Sequence, residues 1–160
     1  MHILLKMTNK QHKKNCKYFE DFSIGDTYLI PSRTQTSGIF AMFQAASGDN
    51  DPIHYDKEFC KKRGHPEMLA HGLQVLIQTA AGAGSFPSDV RDSLIGLIEV
   101  SGKMLKPVYR EDTLYPELIV SKLTSQNTTG ILEIKARVNN QHNILVFEGV
   151  HKYLIKKKNI

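Results

Sequence analysis

Two side chains with acid–base chemistry stand five residues apart in Ser47-Gly48-Asp49-Asn50-Asp51-Pro52-Ile53-His54. Pro52 fixes its own φ and biases Asp51 away from helix, so the segment must turn. In a turn, Asp49 and His54 converge on one small volume. A carboxylate and an imidazole facing a shared water form an acid–base pair that works near neutral pH. From composition alone these residues also suit an ordinary polar turn, since Asp, Asn and Pro dominate turns. A metal site from Asp51, His54, Asp56 and His71 has suitable ligand types, but its spacing matches no standard zinc or calcium pattern.

Ala70-His71-Gly72 follows seventeen residues after His54. It sits where an apolar periodic stretch begins. The first N–H groups of a helix have no intrahelical acceptor and carry partial positive charge. Gly72 lets a ligand approach that backbone, so its N–H can polarise a carbonyl, with His71 beside it. Read for packing alone, Gly72 serves close helix–sheet approach and His71 is a satisfied buried histidine. Cys60 lies in a basic neighbourhood and offers a nucleophile only as a minor alternative to an inert thiol. Ser47 and Ser101 lack a GxSxG setting, and no GxGxxG or P-loop indicates a nucleotide cofactor.

The elements that must position these groups follow from periodicity. Thr27 to Thr36 reads as a strand interrupted at Pro31. Thr36 or Ser37 caps a helix from Gly38 to about Ala46, with Ile39, Phe40, Phe43 and Ala46 at helical spacing. A second helix is expected from Glu67 or Leu69 to Ala83, with Leu69, Gly72, Leu73, Leu76, Ile77, Ala80 and Ala81 on its buried face. Strands follow from Leu94, from Leu114 to Leu123 with Pro116 implying an edge or a bulge, around Leu132–Val138, and from Ile144 to Ile155. Short connections make them antiparallel neighbours in a meander, an α+β layout.

The 160 residues suit one domain, expected over 18–156 after a basic, disordered tail at 1–17. Nine lysines lie near the two ends; without them the net charge of +5 becomes −4. The basicity belongs to the ends, and no motif points to nucleic acid. No stretch is apolar enough to span a bilayer, the start lacks a leader pattern, and two isolated cysteines suit a reduced cytoplasmic chain.

Taken together, the sequence resembles the MaoC-like dehydratase family, which contains the (R)-specific enoyl-CoA hydratases. The elements that carry this are Tyr18-Phe19-Glu20-Asp21-Phe22-Ser23-Ile24-Gly25-Asp26, Ser47-Gly48-Asp49, Asp51-Pro52-Ile53-His54-Tyr55-Asp56, Leu69-Ala70-His71-Gly72-Leu73, Leu105-Lys106-Pro107-Val108 and Asp112-Thr113-Leu114. They occur in family order between Tyr18 and Lys156. The resemblance implies a hot-dog fold, an antiparallel sheet wrapped around a long central helix, in a homodimer. It implies Asp49 and His54 as the catalytic pair, Gly72 N–H as the oxyanion donor, and no metal or redox cofactor. The implied reaction is syn addition of water to a trans-2-enoyl thioester, carried on CoA or acyl carrier protein, to give an (R)-3-hydroxyacyl thioester. A hot-dog thioesterase and a non-catalytic acyl-thioester-binding subunit are the alternatives. Three positions depart from the family. Asp51 stands where Asn is frequent and adds charge beside the pair, a modulator of Asp49. Glu111 replaces a glycine, and Ala80 replaces a serine found in some members.

Overall fold

The computed structural model describes residues 16–158. The tail expected at 1–17 falls outside the described residues except at its end, and there Lys17 is part of the body. Its N–H donates to Asp89 O at 2.6 Å and its ammonium pairs with Asp26 at 3.1 Å. The C-terminal lysines are likewise engaged: Lys152 pairs with Glu99 at 2.8 Å, and Lys158 with Asp21.

One antiparallel sheet dominates. Its strands are β1 (Thr27–Leu29), β2 (Arg33–Thr34), β3 (Leu94–Met104), β4 (Thr113–Ser125), β5 (Thr129–Asn140) and β6 (Leu145–Lys156). The order is β1-β4-β5-β6-β3, with β2 also on β4. The expected meander therefore holds for β4, β5 and β6, but β3 crosses to the far edge and pairs with β6 instead of β4. Glycines permit this pairing. The Phe147 ring lies where a Cβ on Gly102 or Gly149 would sit, at 2.4 and 2.8 Å, so only glycine leaves it room.

Pro116 marks no edge, since β4 is internal. It stands between Leu114, paired with Arg33 of β2, and Glu117, paired with Leu29 of β1. The missing N–H thus falls where the first strand is broken around Pro31. The bulge in β4 lies further on, between Val120 and Lys122. Alternate residues Leu114, Leu118, Val120, Leu132, Ile134, Ala136 and Val138 are fully buried and form the core with Phe86, Phe147 and Ile155. This alternation is the period-two pattern of a sheet with one covered face.

Among the described residues there are four helices, α1 (Ser37–Ser47), α2 (Lys57–Lys62), α3 (Gly72–Ile77) and α4 (Phe86–Val90), of which α3 and α4 add Val75, Phe86 and Val90 to the core. The expected helix from 67 or 69 to 83 is much shorter. Residues Met68 to Ala70 are extended: Ala70 N–H donates to Val108 O at 2.8 Å and Arg110 N–H to Met68 O at 2.9 Å. After Ile77 the chain turns, and a 3-10 turn spans Ala81–Ala83. The Thr79 hydroxyl bonds back to Leu76 O at 2.6 Å, competing with helix continuation. The buried face also differs from expectation. Gln74, Val75, Gln78 and Thr79 are buried, whereas Leu73 and Ile77 are 64% and 49% exposed. The amides can be buried because side chains and backbone satisfy them.

Candidate active site

The site is assembled by caps. Thr36 accepts the Ile39 N–H at the start of α1, and α1 ends at Gly48 with φ 73°, a left-handed conformation that glycine adopts without a Cβ penalty. The chain then turns sharply. The Asp49 N–H donates to Ser47 Oγ at 3.2 Å, and the Asp51 N–H donates to Asp49 Oδ1 at 3.3 Å. Asp51 Oδ1 accepts the Ile53 N–H at 3.0 Å and caps the 3-10 turn Pro52–His54. Pro52 at the head of that turn needs no N–H partner there. The turn carries His54 back beneath Asp49.

His54 is held from the other side by the extended segment. Its Nδ1 lies 2.8 Å from Leu69 O, and a carbonyl can only accept, so Nδ1 bears the hydrogen. In the neutral ring this leaves the Nε2 lone pair facing outward, toward Asp49 Oδ2 at 4.0 Å. That gap is too long for a direct hydrogen bond and suits one water donating to both groups. The His54 side chain is 14% exposed and that of Asp49 52%, so the pair opens to solvent from the aspartate side.

His71 joins them. Its ring stacks on His54 with centroids 3.6 Å apart, and Phe43 of α1 lies against it at 4.8 Å. His71 Nε2 is 3.2 Å from the Asp49 backbone oxygen, and Nδ1 is 3.2 Å from Gln74 Oε1. Gly72 opens α3 immediately after it. Gly72, Leu69, Ala70, Val75, Met104 and Val108 are among the residues lining an adjoining cleft of about 380 Å³.

The structure thus brings together Asp49, His54 and His71, with Gly72 next in chain. Asp51 is adjacent in sequence, but its carboxylate is spent on its own turn. Asp56 is likewise the cap of α2, accepting the Phe59 N–H at 3.0 Å. The metal set Asp51, His54, Asp56 and His71 therefore does not assemble. Asp49, His54 and His71 do offer three ligand-type atoms within 4.8 Å of one another. Of these, the Asp49 carboxylate and His54 Nε2 are directed at the shared space, while both His71 nitrogens already face other partners. Cys60 is wholly buried, its thiol donating to Ile53 O at 3.0 Å, and burial pushes the thiol up from its ordinary pKa. That opposes thiolate chemistry. Ala80 is exposed at the head of the 3-10 turn. The Asp49 carboxylate is supported by the Asp51 N–H, and the Asp49 backbone oxygen lies 3.2 Å from His71 Nε2.

Hydropathy gave no hint of Gln35 and Gln74, both fully buried, which extend the site inward: Gln74 Nε2 donates to Gln35 Oε1 at 3.1 Å, and Gln35 Nε2 to Arg33 O at 3.3 Å. The available signal was the helical spacing of Gln74 three residues after His71.

Comparison with known proteins adds the following. Residues 21–142 match the model of the MaoC like domain. The chain is 28% identical over 147 residues to the uncharacterized protein YdeM of Bacillus subtilis, covering 86% of this chain and 98% of that one. Among solved structures, a monoamine oxidase regulatory protein from Archaeoglobus superposes with a TM-score of 0.86 at 28% identity, covering 92% of this chain and 99% of that one. The unliganded R-hydratase PhaJ1 of Pseudomonas aeruginosa superposes at 0.73 with 20% identity, covering 88% and 86%.

Proposed function

Because the chain belongs to the MaoC-like family, whose fold is the hot-dog arrangement of sheet and helix, we propose that it adds water reversibly to trans-2-enoyl thioesters and releases (R)-3-hydroxyacyl thioesters. The observation that carries this reading is the 4.0 Å gap between Asp49 Oδ2 and His54 Nε2, with the His54 tautomer set by Leu69 O. Both groups facing the gap are acceptors, so a water there donates one hydrogen to each and turns an oxygen lone pair outward to C3.

In the proposed step the water oxygen bonds to C3 while one O–H bond breaks and its proton passes to His54 Nε2. The C2=C3 electrons move toward the thioester carbonyl, and the resulting enolate oxygen is received by Gly72 N–H. His54 then returns the proton to C2 on the same face, which restores the pair and makes the addition syn. Asp49 holds the water in register and balances the imidazolium that forms. The acyl chain lies in the cleft beside Gly72 and Met104, and CoA or an acyl carrier protein supplies the thioester. No metal or redox group takes part in this scheme.

The proposed assembly is a homodimer. Among the described residues β3 pairs through one side alone, and its apolar residues are exposed, Ile95, Leu97 and Ile98 at 50–52% and Met104 at 46%, as are Leu73 and Ile77 of α3. An uncovered apolar edge strand of eleven residues is an aggregation hazard unless a partner covers it. A second copy does so with two-fold symmetry. Among the described residues no helix is long and apolar enough to cross a membrane; the cytoplasmic location we propose rests on the two isolated cysteines.

The test is a steady-state assay with crotonyl-CoA, longer enoyl-CoAs and carrier-linked enoyl thioesters. Loss of enoyl absorbance with formation of the (R)-alcohol is expected. Release of free thiol in place of hydration, or binding of all these substrates without turnover, would overturn the reading.

A further inference from the structure

We propose that Glu67 is a positioning residue: its carboxylate ties together the chain segments that carry His54, the Leu69 carbonyl and Asp49, and so holds the His54 ring at its working place.

Three donors converge on the two oxygens of Glu67. Oε2 accepts from Arg110 Nη2 at 3.0 Å and from Lys57 Nζ at 2.8 Å, and Oε1 accepts the Met68 N–H at 3.0 Å. Each donor belongs to a different part of the site. Lys57 opens α2, three residues after His54. Met68 directly precedes Leu69, whose carbonyl receives His54 Nδ1–H. Arg110 stands on the segment that leads into β4, and its other terminal nitrogen, Nη1, donates to Ser37 Oγ at 3.0 Å. Ser37 is the first residue of α1, the helix that ends at Gly48 just before Asp49. One carboxylate thus reaches both arms of the catalytic pair.

The segment it steadies needs such a tie. The Leu69 carbonyl is presented by a single bridge, Leu69 opposite Tyr109, with two backbone bonds: Ala70 N–H to Val108 O and Arg110 N–H to Met68 O. So short a ladder is marginal by itself. It runs on into His71 and α3 on one side and is open on the other, at Met68. Glu67 lies at that open end and pairs diagonally across the bridge with Arg110. Exposed ion pairs contribute little, but the Glu67 side chain is only 19% exposed and Arg110 27%. Bonds from Arg110 and then Lys57 hold the carboxyl near 2, so it stays ionised throughout any assay range. A glutamine has the same shape but one acceptor oxygen for three donors, and its NH2 faces one of them.

The tie itself rests on these contacts. Its effect on rate rests on the hydratase reading, and the two are measured separately. The ring proton on His54 Nδ1 exchanges with solvent only when its contact to Leu69 O opens. Proton NMR of the full-length protein should show it as a protected signal, assigned by its loss in His54→Asn. In Glu67→Gln that signal should exchange at least about tenfold faster, the effect of a lost hydrogen bond to a charged group. Absence of a protected proton in the wild type, or unchanged exchange in Glu67→Gln, overturns the proposal whatever the protein turns over. With the proposed substrates, kcat should fall about tenfold and KM should change less than about twofold, as expected when a catalytic group is displaced by a fraction of an ångström. Normal kcat in a variant whose His54 proton exchanges fast overturns the positioning role. Val90→Ala, a cavity in the core at α4, lowers Tm without touching the site and should leave both readings unchanged. Equal changes there would make Glu67 a merely structural residue and overturn the proposal. If Glu67→Gln does not fold, Lys57→Met removes the most exposed arm alone. It should speed the exchange about threefold, and no change would overturn the tie. If the wild type hydrates none of the substrates, the hydratase reading falls and the exchange measurements still decide the tie.

Discussion

Asp49→Asn tests the pair with little structural change. Asn is nearly isosteric, and its side-chain oxygen still accepts the Asp51 N–H that Asp49 Oδ1 accepts now. The side chain is half-exposed and closes no core contact, so stability should change by less than about 0.5 kcal/mol. The chemistry changes more. The amide offers one acceptor in place of two carboxylate oxygens and carries no charge. It can also turn its NH2 toward His54 Nε2 across the 4.0 Å gap, occupying the lone pair that the water needs. Losing one member of an acid–base pair costs about 10²- to 10⁴-fold, or roughly 3–5 kcal/mol of barrier at 1.36 kcal/mol per decade. The assay is single-substrate hydration followed by enoyl absorbance, with a thermal melt of the same sample. A fall in kcat of at least about 100-fold with an unchanged Tm is expected. A folded variant within threefold of wild type would refute the shared-water reasoning.

Three further outcomes are open to measurement. Glu111 has φ 72° and is exposed, a conformation that costs a non-glycine residue roughly 1–2 kcal/mol. Glu111→Gly should gain about 0.5–1 kcal/mol after the entropy of glycine is subtracted, raising Tm by about 2 °C, and a lower Tm would show the turn to be unstrained. Bonds from Arg110 and Lys57 hold the Glu67 carboxyl well below its ordinary value, at about 2. Because the folded value is depressed, its stabilisation is present above about pH 4.5 and is lost as pH falls toward 2; chemical denaturation across that range should show a slope that Glu67→Gln reduces. Ile98→Lys on the exposed edge strand should leave the monomer folded and shift sedimentation from dimer to monomer, and an unshifted dimer would move the interface elsewhere.

How much of this was legible in the sequence depends on the range of the forces. The loop around Asp49 was readable because its determinants are local: Pro52, the Asp51 cap and the glycine ending α1 act within a few residues. The strands were readable because Leu132, Ile134, Ala136 and Val138 alternate on a covered face. The α3 face was misread because hydropathy assigns Leu73 and Ile77 to the interior and Gln74 and Gln78 to water. The actual burial follows tertiary hydrogen bonds, from Gln74 to Gln35 and His71 and from Gln78 to Gln74 O, and these have no periodic signature. The placement of β3 on β6 depends on two glycines 47 residues apart, Gly102 and Gly149, meeting one phenylalanine, a coincidence no local window contains. Glu111 was a visible anomaly, and its left-handed backbone explains why a glycine suits that place.

The extended residues Leu69 to His71 have a consequence for where this chain tolerates changes of length. Leu69 O holds His54, Leu69 N–H donates to Ile53 O at 3.1 Å, Ala70 N–H is fixed on Val108 O, and His71 meets Asp49 O. These three residues act as a ruler: the spacing between the two working side chains is copied from the rise of the chain between Leu69 and His71. An insertion in the exposed turn at Gly64 leaves the ruler intact, and such turns absorb added residues at small entropic cost. One residue added after Ala70 displaces either the His54 anchor or the Asp49 anchor by a full step of about 3.3 Å, nearly the width of the gap that holds the water.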